Sequence, residues 1–327
     1  MESNAIKAGP RHCKPSPLHP TPVAVRVKVV TTMRLSLLLL LLGALALVAQ
    51  VPTLAVHNSS GLRMAVDSDD NDPALRVTAP GGPVSERSFK ILFPEHVTVR
   101  AHGQSEAKHL YLFRPGRRGD SPQWRKAGNA LEYASDFGEV YLIARASVVD
   151  DGIVFRYQFD NNSPTDYDMV TAITDPRFHS IFYDPRLERT YVHHDDGFDL
   201  LASETPARLT MPLRDWLPVR YLASYSVPVP IKRVQHRDDG TTYYYKSRPV
   251  DVPMVATLSA DRAWVAASFA RDPGNVWSNP ELTCQHVDPE RRLPHDSRAV
   301  FEIKFLVFKG SLEDALRKVS AQREALK

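Results

Sequence analysis

The strongest constraint on the fold is a series of short runs of β-branched and aromatic residues, separated by Gly, Pro, Asn and Asp, over residues 88–310. Runs of this length and spacing are typical of β-strands joined by turns. Turn residues at 150–152, 238–240 and 259–262 each separate two such runs and predict three hairpins. No linker-like stretch divides the region, which favours one domain over two small sandwiches in tandem. We therefore predict an all-β protein, a large antiparallel two-sheet supersandwich.

One helix is expected at the end of the chain. Ser311 is followed three residues later by Asp314, a variant of the capping box that begins many helices. Apolar residues then recur at a helical period, at Leu312, Ala315, Leu316 and Val319. We expect residues 311–327 to form a helix that packs on a sheet face.

The first 55 residues carry a targeting pattern. Met33 and Arg34 precede an apolar run over residues 35–49, and small residues suited to cleavage lie at Ala46, near the end of this run, and at Ala55, after it. A basic residue, an apolar stretch of roughly 7–15 residues and small residues at a cleavage point are typical of a secretory signal peptide. A membrane-spanning helix needs about 20 apolar residues. We interpret residues 1–55 as a mis-started leader plus a signal peptide, and expect a periplasmic or extracellular protein without stable membrane insertion.

Residues 56–87 are polar and rich in turn residues, so we expect a flexible N-terminal segment before the domain at 88–310. The 43% hydrophobic content of the chain is that of a globular protein. The first 55 residues hold six of the 41 Lys and Arg but one of the 38 Asp and Glu, which leaves the rest a net charge of −2. This charge argues against a nucleic-acid partner. Cys284 is then the one remaining cysteine, which excludes an intrachain disulfide.

A first group of candidate site residues lies at 177–197. In an extended segment alternate residues share a face, so Arg189, Tyr191 and His193 are expected to project together. A guanidinium, a phenol and an imidazole are side chains that sugar or carboxylate sites use. His179 is a further candidate in this segment. The alternative is a solvated turn, because Asp195, Asp196 and Gly197 follow directly.

A second group lies at 275–289. If residues 281–287 form a strand, Cys284, His286 and Asp288 share one face. An imidazole two residues from a carboxylate suits an acid–base couple or a pair of metal ligands. Trp277 and Asn279 precede them, and an aromatic ring beside polar groups suits the apolar face of a pyranose.

Motifs that would indicate a metal or a cofactor are absent from the sequence. The chain contains no H-E-x-x-H helix and no Asp-x-Asp-x-Asp-Gly loop. It also contains no G-x-S-x-G elbow, Walker loop or G-x-G-x-x-G fingerprint. We therefore predict no metal and no cofactor, and interpret Cys284 as a buried small residue.

The hairpin at 151–159 resembles those of the galactose-mutarotase-like superfamily. The stretch Val276-Trp-Ser-Asn-Pro, then Cys284, Asp288-Pro289 and residues 293–298, is similar to the end of aldose-1-epimerase-like chains. The resemblance implies their β-sandwich and a catalytic carboxylate at Asp288, where the family has Glu. It further implies an acid at His193 or His179, and the sugar-positioning residues are Arg189, Tyr191, Trp216 and Trp277.

The leading hypothesis is an exported carbohydrate-active protein that binds a sugar or oligosaccharide and acts like an aldose 1-epimerase through a His/carboxylate pair. A glycoside hydrolase or polysaccharide lyase on the same scaffold is an alternative, with Asp288 and Glu281 as its acid pair. Two further alternatives are a non-catalytic carbohydrate-binding module and a structural envelope protein.

Overall fold

The computed structural model describes residues 54–69, 72–81, 87–110, 122–205, 223–224, 234–236, 242–280 and 282–327. All of them belong to the compact unit Pro52–Lys327. The predicted leader and signal peptide, together with Trp216 and Glu281, lie outside the described residues. No helix in the described part of the chain is long and apolar enough to cross a bilayer.

The described residues are mostly in strands, as the sequence predicts. The strands are β1 (Ala55–His57), β2 (Arg63–Asp69), β3 (Asp72–Thr78), β4 (Ser88–Leu92), β5 (Val97–Ala101), β6 (Lys108–Leu110), β7 (Arg125–Ala127), β8 (Ala130–Asp136), β9 (Tyr141–Val149), β10 (Gly152–Asp160), β11 (Tyr167–Ala172), β12 (Asp175–Arg177), β13 (Thr190–His194), β14 (Gly197–Leu200), β15 (Ala223–Ser224), β16 (Val234–His236), β17 (Thr242–Tyr245), β18 (Val252–Leu258), β19 (Trp264–Ala270), β20 (Pro273–Trp277), β21 (His286–Pro289), β22 (Arg291–Leu293) and β23 (Arg298–Lys309). The α-helix, α1, spans Leu312–Gln322, and short 3-10 helices span Ser180–Phe182 and Arg323–Ala325.

Two large sheets contain most of these strands. The nine-stranded sheet has the order β14-β13-β18-β19-β23-β10-β9-β8-β7, and the five-stranded sheet has the order β1-β2-β3-β4-β12. Smaller sheets are formed by β22-β11-β5-β6, by β15-β17-β16 and by β20-β21. The three predicted hairpins are confirmed, because β9 pairs with β10, β16 with β17 and β18 with β19, all antiparallel. The predicted all-β architecture is therefore correct.

The N-terminal segment is not loose where the structure describes it. Strands β1, β2 and β3 pair in sequence, and β3 pairs with β4, so residues before 88 extend the five-stranded sheet. Met64, Leu75 and Val77 are buried in its core. The polar run that suggested flexibility includes the end of β2 and the start of β3, where Asp69 pairs with Asp72. The expected start of order at residue 88 is thus corrected.

The two large sheets share one aromatic core. Phe89 on β4 lies 5.6 Å from Phe305 on β23, measured between ring centroids, and both rings are fully buried. Phe178 completes this group at 5.3 Å from Phe89 and 6.1 Å from Phe305. The contacts of Phe89 with Phe178 and Phe305 are edge-to-face, a geometry that stabilises beyond simple burial. The strands of each sheet alternate between this core and the opposite face.

Helix α1 covers the outer face of the nine-stranded sheet, as predicted. Its Ala315 and Val319 join a second buried cluster with Val265 and Phe269 of β19. The predicted capping box is present, since the Ser311 hydroxyl accepts a hydrogen bond from the Asp314 amide and the Asp314 carboxylate accepts one from the Ser311 amide. Helix formation here follows from local chemistry.

A carboxylate in the β9–β10 turn holds the helix to the sheet. Asp151 lies 2.7 Å from Lys304 and 3.1 Å from Lys318, and accepts a hydrogen bond from Gln322 at 2.9 Å. Burial alone would raise the pKa of Asp151, but Lys304, Gln322 and Lys318 outweigh it and lower that pKa from 3.8 to about 2. The ionised carboxylate therefore favours the folded state.

We expect Asp151→Asn to lower the free energy of unfolding by about 1–2 kcal/mol at neutral pH, after allowance for solvent screening. Because the folded-state pKa is depressed, this contribution is complete above pH 3.8 and disappears as the pH falls through about 2. Urea unfolding at several pH values measures it. Asp150→Asn, in the same turn but exposed, is the control. If the free energies of unfolding of wild type and Asp151→Asn change in parallel with pH, the stabilising role of ionised Asp151 is contradicted.

Candidate functional site

Strands β20 and β21 bring the second group of predicted residues together. Trp277 pairs with His286 and Asn275 pairs with Asp288. Residues Gln285 and Val287 face the other way, where Gln285 donates to the Thr257 hydroxyl at 3.0 Å. The alternation expected for a strand therefore holds, although the strand begins at His286 and not at residue 281.

His286 is the centre of a buried group that we call the His286 cluster, formed with Asp175, Trp277, Cys284 and Asp288. Its imidazole stacks on the Trp277 ring with 3.6 Å between centroids and 2° between planes. Nε2 lies 3.3 Å from Asp175 Oδ1, and Nδ1 lies 3.9 Å from Asp288 Oδ1. The imidazole is 1% exposed, so it contacts two carboxylates away from bulk water.

Further side chains hold the two carboxylates in place. The Trp277 indole N–H donates to Asp288 Oδ2 at 2.9 Å. Arg177 Nε donates to Asp175 Oδ2 at 2.6 Å, and its guanidinium also donates to Glu95 at 3.3 Å. Each carboxylate thus has one oxygen fixed and the other directed toward His286.

Burial and mutual charge shift the pKa values of the cluster. Burial alone lowers the pKa of His286, but Cys284 and Asp175 outweigh it and raise that pKa well above its usual value. Burial raises the pKa of Asp288 despite the opposing effect of His286. For Asp175, burial is outweighed by His286 and Arg177, and the pKa is lowered. The thiol pKa of Cys284 is raised by burial. Displaced pKa values in one place are typical of functional sites.

Several polar atoms of the cluster have no hydrogen-bond partner in the described part of the chain. They are Asp175 Oδ1, His286 Nδ1 and Asp288 Oδ1, and Asn275 Oδ1 and Ser278 Oγ nearby share this property. An unpaired buried polar group costs about 1–3 kcal/mol, so native proteins keep few of them. Their concentration in one cluster indicates a role other than stabilising the fold.

The first group of predicted residues lies elsewhere. His193 forms a hydrogen-bonded pair with Asp251 at 2.7 Å and contacts the edge of Phe198. Tyr191 and Phe198 pack against the cluster that includes α1, on the outer face of the nine-stranded sheet. The neighbouring Val192 joins the inner core, which also contains Val276 and Val287 of β20 and β21. Within the described residues, His193 and Asp288 therefore do not line one pocket.

The remaining predicted residues have structural contacts. Arg189 donates to the carbonyl oxygens of Leu258, at 2.5 Å, and of Tyr183. His179 is exposed beside Tyr183. Asn279 is buried in the turn after β20, where its side chain accepts from the Leu282 amide at 2.9 Å.

Asp175 is the residue of the His286 cluster that sequence reasoning missed. Asp175 belongs to β12, at the edge of the five-stranded sheet, and contacts His286 of a different sheet. No spacing in the sequence links the two positions. Asp175, Cys284 and His286 each offer a ligand atom, and these atoms lie within 4.8 Å of one another.

No family model matches this chain. No curated protein matches it either. Solved structures that are similar include a galactose mutarotase related enzyme from Lactobacillus acidophilus, at 10% identity and a TM-score of 0.42, over 80% of this chain and 98% of that one.

A galactose mutarotase-like protein from Lactobacillus casei is 11% identical with a TM-score of 0.44, over 78% of this chain and 100% of that one. The α-N-acetylgalactosaminidase of Bifidobacterium bifidum, in a complex with GalNAc, is 11% identical with a TM-score of 0.46, over 83% of this chain and 39% of that one. At these low sequence identities and TM-scores, no activity, substrate or site residue of those proteins is assigned to this chain. The chain resembles galactose-mutarotase-like structures, which is the family resemblance expected from its C-terminal sequence.

Proposed function

We propose that this chain is an exported carbohydrate-active protein that binds a sugar and interconverts its anomers in the manner of an aldose 1-epimerase. Asp288 is the base and the Nδ1–H group of His286 is the acid beside it. The observation that carries the proposal is the pair of unpartnered atoms, Asp288 Oδ1 and His286 Nδ1, held 3.9 Å apart in a buried cluster. The apolar run at 35–49 supports export.

The chemistry of anomer exchange suits this pair. Ring opening removes a proton from the anomeric hydroxyl and delivers one to the ring oxygen, and re-closure reverses both steps. Both oxygens are bonded to the anomeric carbon, so two adjacent groups on one side of the sugar can serve them. The half-buried Trp277 adds an aromatic surface suited to the apolar face of a pyranose.

A carbohydrate-binding protein without catalysis is the second candidate. The observation in its favour is burial, because His286 is 1% exposed and Asp288 is 2% exposed. Under this alternative a sugar contacts the rim of the His286 cluster, while His286 and Asp288 remain inaccessible to the sugar. Binding and anomer exchange therefore need separate measurements.

The first measurement is a thermal-shift screen of the purified chain against soluble mono- and oligosaccharides. A ligand at one hundred times its Kd stabilises the folded state by about 2.7 kcal/mol. The second is optical rotation of a freshly dissolved single anomer of each binding sugar, with and without protein. Rotation at the rate of the buffer blank, with binding retained, would select the non-catalytic alternative. If no sugar changes the melting temperature, both candidates fail.

A further inference from the structure

Three side chains of the types that bind transition metals meet in the His286 cluster. Asp175 comes from β12, Cys284 precedes β21, and His286 begins β21. Their candidate ligand atoms all lie within 4.8 Å of one another, and each residue is about 1% exposed. One carboxylate, one thiol and one imidazole form a mixed donor set, unlike the all-acidic groups common on protein surfaces.

The spacing of two of these atoms fits a tetrahedral ion. Bonds of about 2.0–2.2 Å to an imidazole nitrogen and a carboxylate oxygen, at a tetrahedral angle, separate the two atoms by about 3.4 Å. Nε2 of His286 and Oδ1 of Asp175 are 3.3 Å apart. Despite this proximity, Asp175 Oδ1 has no hydrogen-bond partner among the described residues. The length of this contact suits two ligands of one ion.

The surroundings also match the outer layer of a metal site. The second oxygen of Asp175 is fixed by Arg177 at 2.6 Å. The second nitrogen of His286, Nδ1, faces Asp288 Oδ1 at 3.9 Å, and Asp288 is itself fixed by Trp277. Histidine ligands of metals usually direct their other ring nitrogen to a carboxylate, which sets the tautomer.

We propose that Asp175 Oδ1, Cys284 Sγ and His286 Nε2 bind one zinc-class divalent ion. Thiolate and imidazole donors favour Zn²⁺ or Co²⁺ over Mg²⁺ and Ca²⁺, which prefer oxygen ligands. Three protein ligands leave one coordination position for a water or substrate oxygen. On binding, the thiol and Nε2 each release a proton to solvent.

This site deepens the proposed function, and rests on it only for the role of Asp288. An ion on Nε2 places the remaining imidazole proton on Nδ1, where it faces Asp288. The acid and base of the proposed reaction are then fixed in their required protonation states. Metal binding can be measured without any sugar, and therefore independently of the proposed reaction.

The test uses the full chain, freed of metal by a chelator and titrated with Co²⁺. We expect one equivalent to bind and to produce a thiolate-to-cobalt charge-transfer band together with tetrahedral visible bands. Cys284→Ser replaces the thiol with a smaller hydroxyl of similar shape, and it is expected to lose the charge-transfer band and to weaken binding at least tenfold. His295→Gln, which changes an exposed histidine outside the cluster, is expected to leave both unchanged.

An identical charge-transfer band in Cys284→Ser, or no stoichiometric cobalt binding by wild type, would overturn the proposal. If Cys284→Ser does not fold, X-ray absorption of the zinc-loaded wild type gives the same answer, with one sulfur expected at about 2.3 Å. A shell of nitrogen and oxygen alone would reject the site. Retained cobalt binding without any sugar response would reject the proposed function and leave the metal site standing.

Discussion

Asp288→Asn is expected to lower the rate of protein-catalysed anomer exchange by about 10²–10⁴-fold, the usual contribution of a positioned acid or base. The amide cannot accept the proton from the anomeric hydroxyl. Its oxygen can still accept the hydrogen bond that Trp277 donates to Asp288 Oδ2 at 2.9 Å, so the indole stays in place. Polarimetry on a binding sugar measures the change.

The same substitution is expected to leave the free energy of unfolding unchanged or higher at neutral pH. Burial raises the pKa of Asp288, so the ionised carboxylate costs stability once the pH rises through that pKa. A neutral amide of the same shape removes that cost. A purely structural role predicts the reverse, with lost stability and no specific loss of rate.

Asp251→Asn is the matched control, because Asp251 pairs with His193, the imidazole of the first predicted group. We expect it to leave anomer exchange at the wild-type rate. Normal exchange in Asp288→Asn combined with loss of exchange in Asp251→Asn would move the site to strand β13 and reject the assignment of Asp288.

Phe305→Ala is expected to cost about 3–5 kcal/mol of unfolding free energy, the range for deleting a buried aromatic side chain. Phe305 is fully buried where β23 faces the five-stranded sheet, and its ring contacts Phe89 and Phe178. Removal leaves a cavity between two sheets that paired strands cannot easily close. The midpoint of urea unfolding, at constant m-value, measures the loss.

Phe308→Ala is the control for this prediction. Phe308 lies on the same strand but is half-buried, under the Lys318 ammonium at 5.2 Å. The same atoms are removed, yet part of that surface is already in water, so the cost is expected to be clearly smaller. Equal costs at both positions would show that the aromatic core between the sheets is not a main source of stability.

The strands and the helix were predictable because their signals are local. In β10, Phe155, Tyr157 and Phe159 are buried and alternate with half-buried residues, so the period of two is visible in the sequence. The turn at 150–152 fixes the register with β9. Ser311 and Asp314 likewise mark the start of α1. The strands at 63–78 were missed, because the polar residues 67–72 interrupt their pattern.

The candidate site was predictable only in part. Trp277, His286 and Asp288 were found because they lie on neighbouring strands close in the sequence. The alternation of β13 correctly placed Tyr191 and His193 on one face, but no local signal tells which face of a sheet points to which neighbour. Asp175 was missed for the same reason, since its contact with His286 joins two sheets.

Periodicity, turn residues and capping are properties of adjacent residues, and they were enough to predict the all-β character of the described residues and the helix at 312–322. The carboxylates and the thiol gathered around a buried imidazole depend instead on how separate sheets pack. Asp175 and His286 are more than a hundred residues apart, and their approach to 3.3 Å follows from burial of the shared core, which no short stretch of sequence encodes.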